Sequence, residues 1–349
     1  MARSFAEFGN ALYTGEKSID FIGRRKIWYA IAAVLIVLSI VGPLLRGGFT
    51  LGIEFTGGSQ FQLHLSDAQD RDPAVAEDAV AEVLPSSAPR VSQVGATDLR
   101  VQTEALDDRE NQEVIAALAD AYGVEETDIT YSFVGPAWGQ DVTKQALIGL
   151  IVFILFAALV MAIYFRTWKM SVAALAALFH DLIITAGVYG ISGFEVTPAA
   201  MIGFLTILGY SLYDTVVVFD KIRENTSPGE LNDRRTFAES VNLAVNQTLV
   251  RSINTSVVAA LPVAAILFIG AFVLGAGTLR DISLALFIGI LVGAYSTIFI
   301  AAPFYAQLRQ REPAVHKRDE RVLKARARGE AEDAPEADAL TADSSGSDR

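Results

Sequence analysis

Apolar residues in this chain are bunched into long runs rather than spread periodically. Six runs, residues 27–45, 146–165, 170–191, 198–219, 252–274 and 282–303, are each about 20 residues long. That is the length of helix needed to cross a bilayer core of about 30 Å. The first run is longer than the core of a secretory signal and is followed by no small-residue cleavage site, so it reads as a permanent anchor.

Between the first and second runs the pattern changes. Residues 59–65 alternate with period two and read as a strand, and residues 73–84 read as a helix with Pro near its start. Residues 90–94 and 99–103 read as two strands around a turn at 95–98. Residues 108–122 form a helix that stops at Gly123, and 128–134 a last strand. The order β-α-β-β-α-β predicts a small ferredoxin-like α+β domain. The fold class is therefore an α-helical membrane protein of six transmembrane helices carrying one α+β domain, with residues 46–145 assigned to that domain.

Composition and charge add direction. Of 349 residues, 52% are hydrophobic. The net charge of −12 comes largely from the 46–145 segment, which holds 18 Asp and Glu against 6 Lys and Arg. Residues 1–26, 166–169, 220–251 and 304–349 lie on one side of the spans and carry 21 Lys and Arg, against 7 on the other. This asymmetry, with Arg24-Arg25-Lys26 directly before the first span, predicts both termini in the cytoplasm and the domain outside. Cysteine is absent, so disulfides and thiolate chemistry are excluded. The three histidines, His64, His180 and His316, are too scattered to predict a zinc site. No Walker A, G-x-S-x-G or HExxH sequence occurs, and no cofactor or metal is expected.

Two further segments look amphipathic: Phe5, Phe8 and Leu12 at i, i+3, i+7, and Phe237, Val241 and Val245 at i, i+4, i+8. They suit either the membrane interface or packing on the chain's own helices. The stretch from about Arg309 lacks periodic apolar residues, is rich in Ala, Glu, Asp and Arg, and reads as a disordered tail over 304–349.

Charged residues inside the spans are few: His180-Asp181 in the third and Asp214 in the fourth, with Arg251 at the mouth of the fifth. A charge at mid-span costs about 2.5–3.5 kcal/mol on insertion scales, which favours a functional reading over an interhelical hydrogen bond that orders the bundle. For His180 a packing role is as good a reading as a functional one. Gly203, Thr206, Tyr210, Ser211 and Asp214 recur at spacings of three and four and predict one polar stripe on the fourth helix. Gln247, Arg251 and Thr255, with Asn254 alongside, do the same on the fifth. Both stripes reach the cytoplasmic half, so Asp214 and Arg251 are expected to be able to meet. An Arg that approaches and withdraws would lower and raise the proton affinity of the Asp, and a proton crossing the field contributes about 2.3 kcal/mol per 100 mV. Pro262 is a candidate kink in the fifth span.

Several of these segments together resemble the SecF family of the bacterial Sec protein-export machinery. They are Gly52-Ile53-Glu54-Phe55-Thr56-Gly57-Gly58 after the first span, Val134-Gly135-Pro136 before the second, and His180-Asp181. They continue with the run GYSLYDTVVVFDKIREN at 209–225, NQTLVRS at 246–252, and Gly289, Gly293, Ser296 and Pro303 in the last span. One departure is Tyr213, where the family usually carries Asn beside the Asp. The resemblance implies an RND-like six-span half that works with SecD and a SecY-type channel in the plasma membrane. It implies use of the proton-motive force to help draw an emerging unfolded preprotein outward, with protons and membrane lipid as further partners and no nucleic acid. It also implies proton passage at the positions of Asp214 and Arg251. Gly57-Gly58 reads either as a hinge at the membrane–domain junction or, more simply, as a tight turn before the first strand. The alternative is a half-size RND-like exporter of small molecules. Such exporters usually have twelve spans and two outer domains, and no aromatic-rich pocket sequence is evident here. A non-transporting assembly factor is a third reading, one that leaves Asp214 with a structural purpose only.

Overall fold

The computed structural model describes residues 5–65, 72–94, 98–227, 235–270 and 277–332. A short helix α1 (Phe5–Thr14) precedes the first span, α2 (Arg25–Leu45). One turn of helix, α3 (Ile53–Thr56), leads into the α/β domain: β1 (Gly58–His64), α4 (Pro73–Val83), β2 (Arg90–Val94), β3 (Asp98–Thr103), α5 (Asp108–Tyr122) and β4 (Ile129–Val134). Then come the remaining spans: α6 (Pro136–Phe165), α7 (Trp168–Ser192), α8 (Pro198–Asn225), α9 (Phe237–Ala265) and α10 (Gly277–Ser296). Two further helices, α11 (Ala302–Gln310) and α12 (Pro313–Glu332), complete the described chain. The predicted turn at 95–98 falls mostly, and the predicted end of the fifth run wholly, outside the described residues.

Local chemistry sets the helix ends. Asp107 and Glu110 form a reciprocal cap on α5, which stops at Gly123 in the left-handed conformation. Pro73, Pro136 and Pro198 each open a helix at its first position, where a missing N–H costs nothing. The sheet order is β2-β3-β1-β4, every neighbouring pair antiparallel. One face of the sheet carries Phe61, Leu63, Leu99 and Val101, fully buried against Ala76, Val80, Val114 and Leu118 of α4 and α5. Burying each large side chain is worth about 1.5–3 kcal/mol, and this core holds the domain together. Gln60, Gln62, Arg100 and Gln102 alternate with these residues and face the other way.

Among the described residues, six helices are long and apolar enough to cross a membrane. They are not equivalent. The third, fourth and sixth are 56%, 50% and 56% buried over their apolar windows, and the first, second and fifth only 17%, 11% and 17%. With no water to drive helices together, close approach through small residues does the packing. Gly203 on α8 lies against Ala285, and Gly289 on α10 lies so close to Ile207 that a side chain there has no room.

Several boundaries differ from the sequence reading. The second span's helix begins at Pro136, ten residues before the apolar run, because its polar first turns pack under the domain, where Thr143 donates to the carbonyl of Phe55. The fifth span and the amphipathic segment before it are one helix, α9. Phe237, Val241 and Val245 are buried in the bundle core with Leu12, and Phe8 packs against the same cluster, so these faces cover the chain's own helices. The side chain of Phe5 is not among those described. α9 stays regular through Pro262 to Ala265 and continues as a π-helical turn at Ile266–Gly270.

The predicted disordered tail is corrected for residues 304–332, which form α11 and α12. Val315 and Val322 are buried, the backbone N–H of Phe237 donates to Asp319 at 2.8 Å, and Arg326 pairs with Glu239 at 2.6 Å. Two apolar contacts seven residues apart are too sparse to signal a helix in sequence. Docking on the start of α9 supplies the stability that the isolated segment lacks. Residues 333–349 are outside the described part.

Candidate functional site

Asp181, in the middle of α7, is 1% exposed and joins three helices. Its Oδ2 accepts hydrogen bonds from Ser211 of α8 at 2.6 Å and from Ser296 of α10 at 2.8 Å. Oδ1 lies 3.1 Å from Nδ1 of its neighbour His180, whose Nε2 is buried without a partner. One turn along, Thr215 bonds Thr297 across α8 and the π-helical turn Thr297–Ala301 at 3.0 Å. A buried carboxylate needs such donors to remain in an apolar bundle. Among the sequence-predicted residues, Ser211 and Asp181 are therefore brought together, with His180 beside them.

Asp214 lies one turn beyond Ser211 but faces a different neighbour. Its Oδ1 accepts from Ser252 of α9 at 2.9 Å, and Oδ2 is buried without a hydrogen bond. The expected meeting with Arg251 is not formed. The two lie within electrostatic range, with no ion pair or hydrogen bond between them. The reason is helical phase. Ser252 and Ser256 occupy the inward face of α9, so Arg251, one residue and about 100° away, projects elsewhere. Arg251 instead lines an open cavity of about 770 Å³ with Tyr13, Val217, Asp220, Glu224 and Gln247, at the end of the bundle where α1 lies.

The predicted polar stripes divide in the same way. Tyr210 donates to the carbonyl of Thr255 at 3.2 Å and so ties α8 to α9. Thr206 turns outward and satisfies itself on the carbonyl of Ile202 at 2.7 Å, and Thr255 does the same on the carbonyl of Arg251 at 2.8 Å. Gln247 accepts from Asn225 at 2.8 Å and donates to the carbonyl of Tyr13 at 3.2 Å. Gly203 packs against α10 rather than belonging to a polar face. The sequence reading met Ser252, Ser296 and Thr215 only within the stretches that carry the family resemblance and gave them, and Thr297, no place at the site. Hydroxyl residues are common in apolar helices, and only their alignment with Asp181 and Asp214 marks them out.

The domain joins the bundle through the Gly57-Gly58 junction. Gly57 and Gly58 have φ of +75° and +141°, and a Cβ would stand 2.7 Å from Pro136 at the first and 2.4 Å from the carbonyl oxygen of Thr103 at the second. Both glycines are required by backbone conformation and by space. Asp281, counted with the outer loops in the sequence, is buried at the start of α10, where Thr197 donates to it at 3.0 Å.

Comparison with known proteins places this arrangement. The protein export membrane protein SecD/SecF family, C-terminal part, matches residues 114–311, and the SecD/SecF GG motif matches residues 44–69, which contain Gly57 and Gly58. The protein translocase subunit SecF of Streptomyces coelicolor is 45% identical over 324 residues, covering 93% of this chain and 85% of that protein. The SecF subunit of Mycobacterium tuberculosis is 41% identical over 332 residues, covering 92% and 74%. The crystal structure of SecDF from Thermus thermophilus, described as a translocon-associated membrane protein, superposes with a TM-score of 0.72 at 30% identity. It covers 84% of this chain, which spans 39% of that longer one. With matching sequence motifs, six spans and a ferredoxin-like domain in the same order, the chain belongs to the SecD/SecF family of protein export membrane proteins, as a SecF member.

Proposed function

We propose that this chain is an accessory subunit of protein export that acts with SecD and uses the proton-motive force to assist late translocation and release of precursors through a SecY-type channel. It works without nucleotide hydrolysis and sits in the plasma membrane with both termini in the cytoplasm. The observation that carries the reading is the half-satisfied carboxylate of Asp214. Among the described residues, one oxygen is held by Ser252 and the other is buried and unpartnered, with the Arg251 guanidinium nearby but unpaired. A carboxylate in this state can exchange a proton at little structural cost, and its charge is the one most responsive to movement of α9 relative to α8. Asp181, held by two hydroxyls, serves as the fixed partner site.

The SecD side of the chain is supported by a second observation. Tyr213 and Asn254 leave polar groups exposed on the outward faces of α8 and α9. Polar groups facing lipid are costly, and a protein partner removes that cost. The longer SecDF chain, of which this one matches a part, accords with such a partner.

The test is export of a secreted reporter across energised membranes with Asp214→Asn, after equal insertion and SecD co-purification are established. Loss of the proton-motive-force-dependent late step supports the reading. Unchanged export overturns the role of Asp214 and leaves it a structural contact.

A further inference from the structure

The five residues between α7 and α8 make an unusual number of attachments for so short a loop. Gly193 closes α7 in the left-handed conformation, and the next residue, Phe194, lies under the guanidinium of Arg280 at the start of α10, 5.3 Å from the ring centre. Glu195 pairs with Arg100 of the α/β sheet at 2.8 Å, and the two side chains are only 8% and 11% exposed. Val196 accepts from the backbone N–H of Gly52 at 3.1 Å and donates to the carbonyl of Thr50 at 2.8 Å, a short parallel β-bridge to the segment leaving the first span. Thr197 caps α8 through the N–H of Ala200 and also donates to Asp281.

Through this loop the domain, the first span, the sixth span and the N-terminus of α8 meet within one short stretch. Arg100 is on the polar face of the sheet, in the strand next to β1, and reaches the loop directly. Beside the pair a polar cleft of about 480 Å³, lined by Glu54, Gln60, Gln62, Thr197 and Asp281, separates sheet and bundle. The packing under the cleft is thus open, and the ion pair bridges it. A buried pair of this kind is a poor source of net stability, because desolvation offsets its attraction, but removing one partner strands the other charge. What the pair supplies is fixed geometry.

We propose that Arg100 and Glu195 are positioning residues that tie the α/β domain to the entrance of α8, the helix carrying Ser211 and Asp214. A shift of α8 then carries the domain with it, and without the pair the domain rocks on the Gly57-Gly58 junction and the Val196 bridge. The proton-driven reading above supplies the cause of such a shift. The tie itself does not depend on it.

The test uses the absence of cysteine in the chain. Spin labels at Asp120→Cys on α5 and Ile202→Cys on α8, both exposed positions, report the distance between domain and bundle in the full protein reconstituted without SecD, so that this face of α8 stays uncovered. The parent is expected to give one narrow distance distribution. Arg100→Gln, Glu195→Gln and the doubly neutral R100Q/E195Q are expected to broaden it, and the charge-swapped R100E/E195R to narrow it again. Export is expected to fall and recover in the same order, while the melting temperature of the doubly neutral variant stays near that of the parent. The doubly neutral protein strands no charge, so it separates loss of the tie from loss of folding. A distribution as narrow in R100Q/E195Q as in the parent overturns the proposal. These distances need no proton flux, so failure of the Asp214 reading would appear as unchanged export in Asp214→Asn while the distances still follow the pair.

Discussion

Ser252 donates to Asp214 across the α8–α9 contact at 2.9 Å, and it is the sole hydrogen bond to this carboxylate among the described residues. Arg251, one position away along α9, does not take that place. The carboxylate is thus oriented by a neutral hydroxyl and only biased by the cation. This allows its charge to change without breaking an ion pair.

Ser252→Ala is accordingly expected to affect Asp214 more than its size suggests. Removing the donor leaves both carboxylate oxygens buried and unmatched, at a cost of about 1–3 kcal/mol. Thermal unfolding in detergent should show the loss, and Ser252→Thr, which keeps the hydroxyl, should restore most of it. Equal melting temperatures for parent and alanine variant would mean that water already serves Asp214.

Asp181 makes the opposite prediction. Asp181→Ala orphans the hydroxyl of Ser211, leaves that of Ser296 only the carbonyl of Gly293 at 3.2 Å, and opens space between three helices, so the loss should exceed that of Ser211→Ala or Ser296→Ala alone. Each unmade buried hydrogen bond is worth about 1–3 kcal/mol. A double-mutant cycle between Ser211 and Ser296 with Asp181 present and absent measures the coupling. Strict additivity would show that the carboxylate is not shared.

At the junction, Gly57→Ala and Gly58→Ala are both expected to be destabilising. Holding a residue other than glycine at such φ costs about 1–3 kcal/mol before any clash, and at each position backbone atoms stand in the way. The expected readout is faster proteolysis within residues 46–145 with the bundle intact. Unchanged cleavage would show that the turn relaxes freely, as a flexible hinge does.

The docked helix α12 carries a pH dependence. Burial alone would raise the carboxyl of Glu312, but the hydrogen bond from Lys169 and the charges of Arg309 and Lys169 outweigh it and hold the carboxyl below its usual range. A carboxyl depressed in the folded state stabilises above its unfolded value of about 4.3, and that contribution is lost as pH falls through the folded value. Protection of residues 313–332 against hydrogen exchange, corrected for the pH dependence of intrinsic exchange, should therefore fall below about pH 4. Glu312→Gln should lower protection at neutral pH and reduce the dependence, the remainder belonging to Glu239, which Arg326 of α12 holds down to about 2. The pair is partly exposed, so the effect is expected to be modest.

The sequence by itself determined six spans and a ferredoxin-like insertion after the first, and it singled out Asp181 and Asp214 as charges within apolar runs. These are local signals: apolar runs long enough to cross a bilayer, helix stops such as Gly123, alternation along β1, and the rarity of a charge in an apolar run. Tertiary structure alone decided which faces meet. Lipid and protein interior are equally apolar, so a span carries little sign of its inward face, and the choice of Ser252 over Arg251 as the neighbour of Asp214 depends on how α8 and α9 pack. Asp281 and Glu195 looked like loop charges until the loop before α8 folded beneath the domain. Residues 313–332 lack the apolar periodicity of a helix, and it is the surface offered by α9, through Phe237 and Glu239, that makes them one.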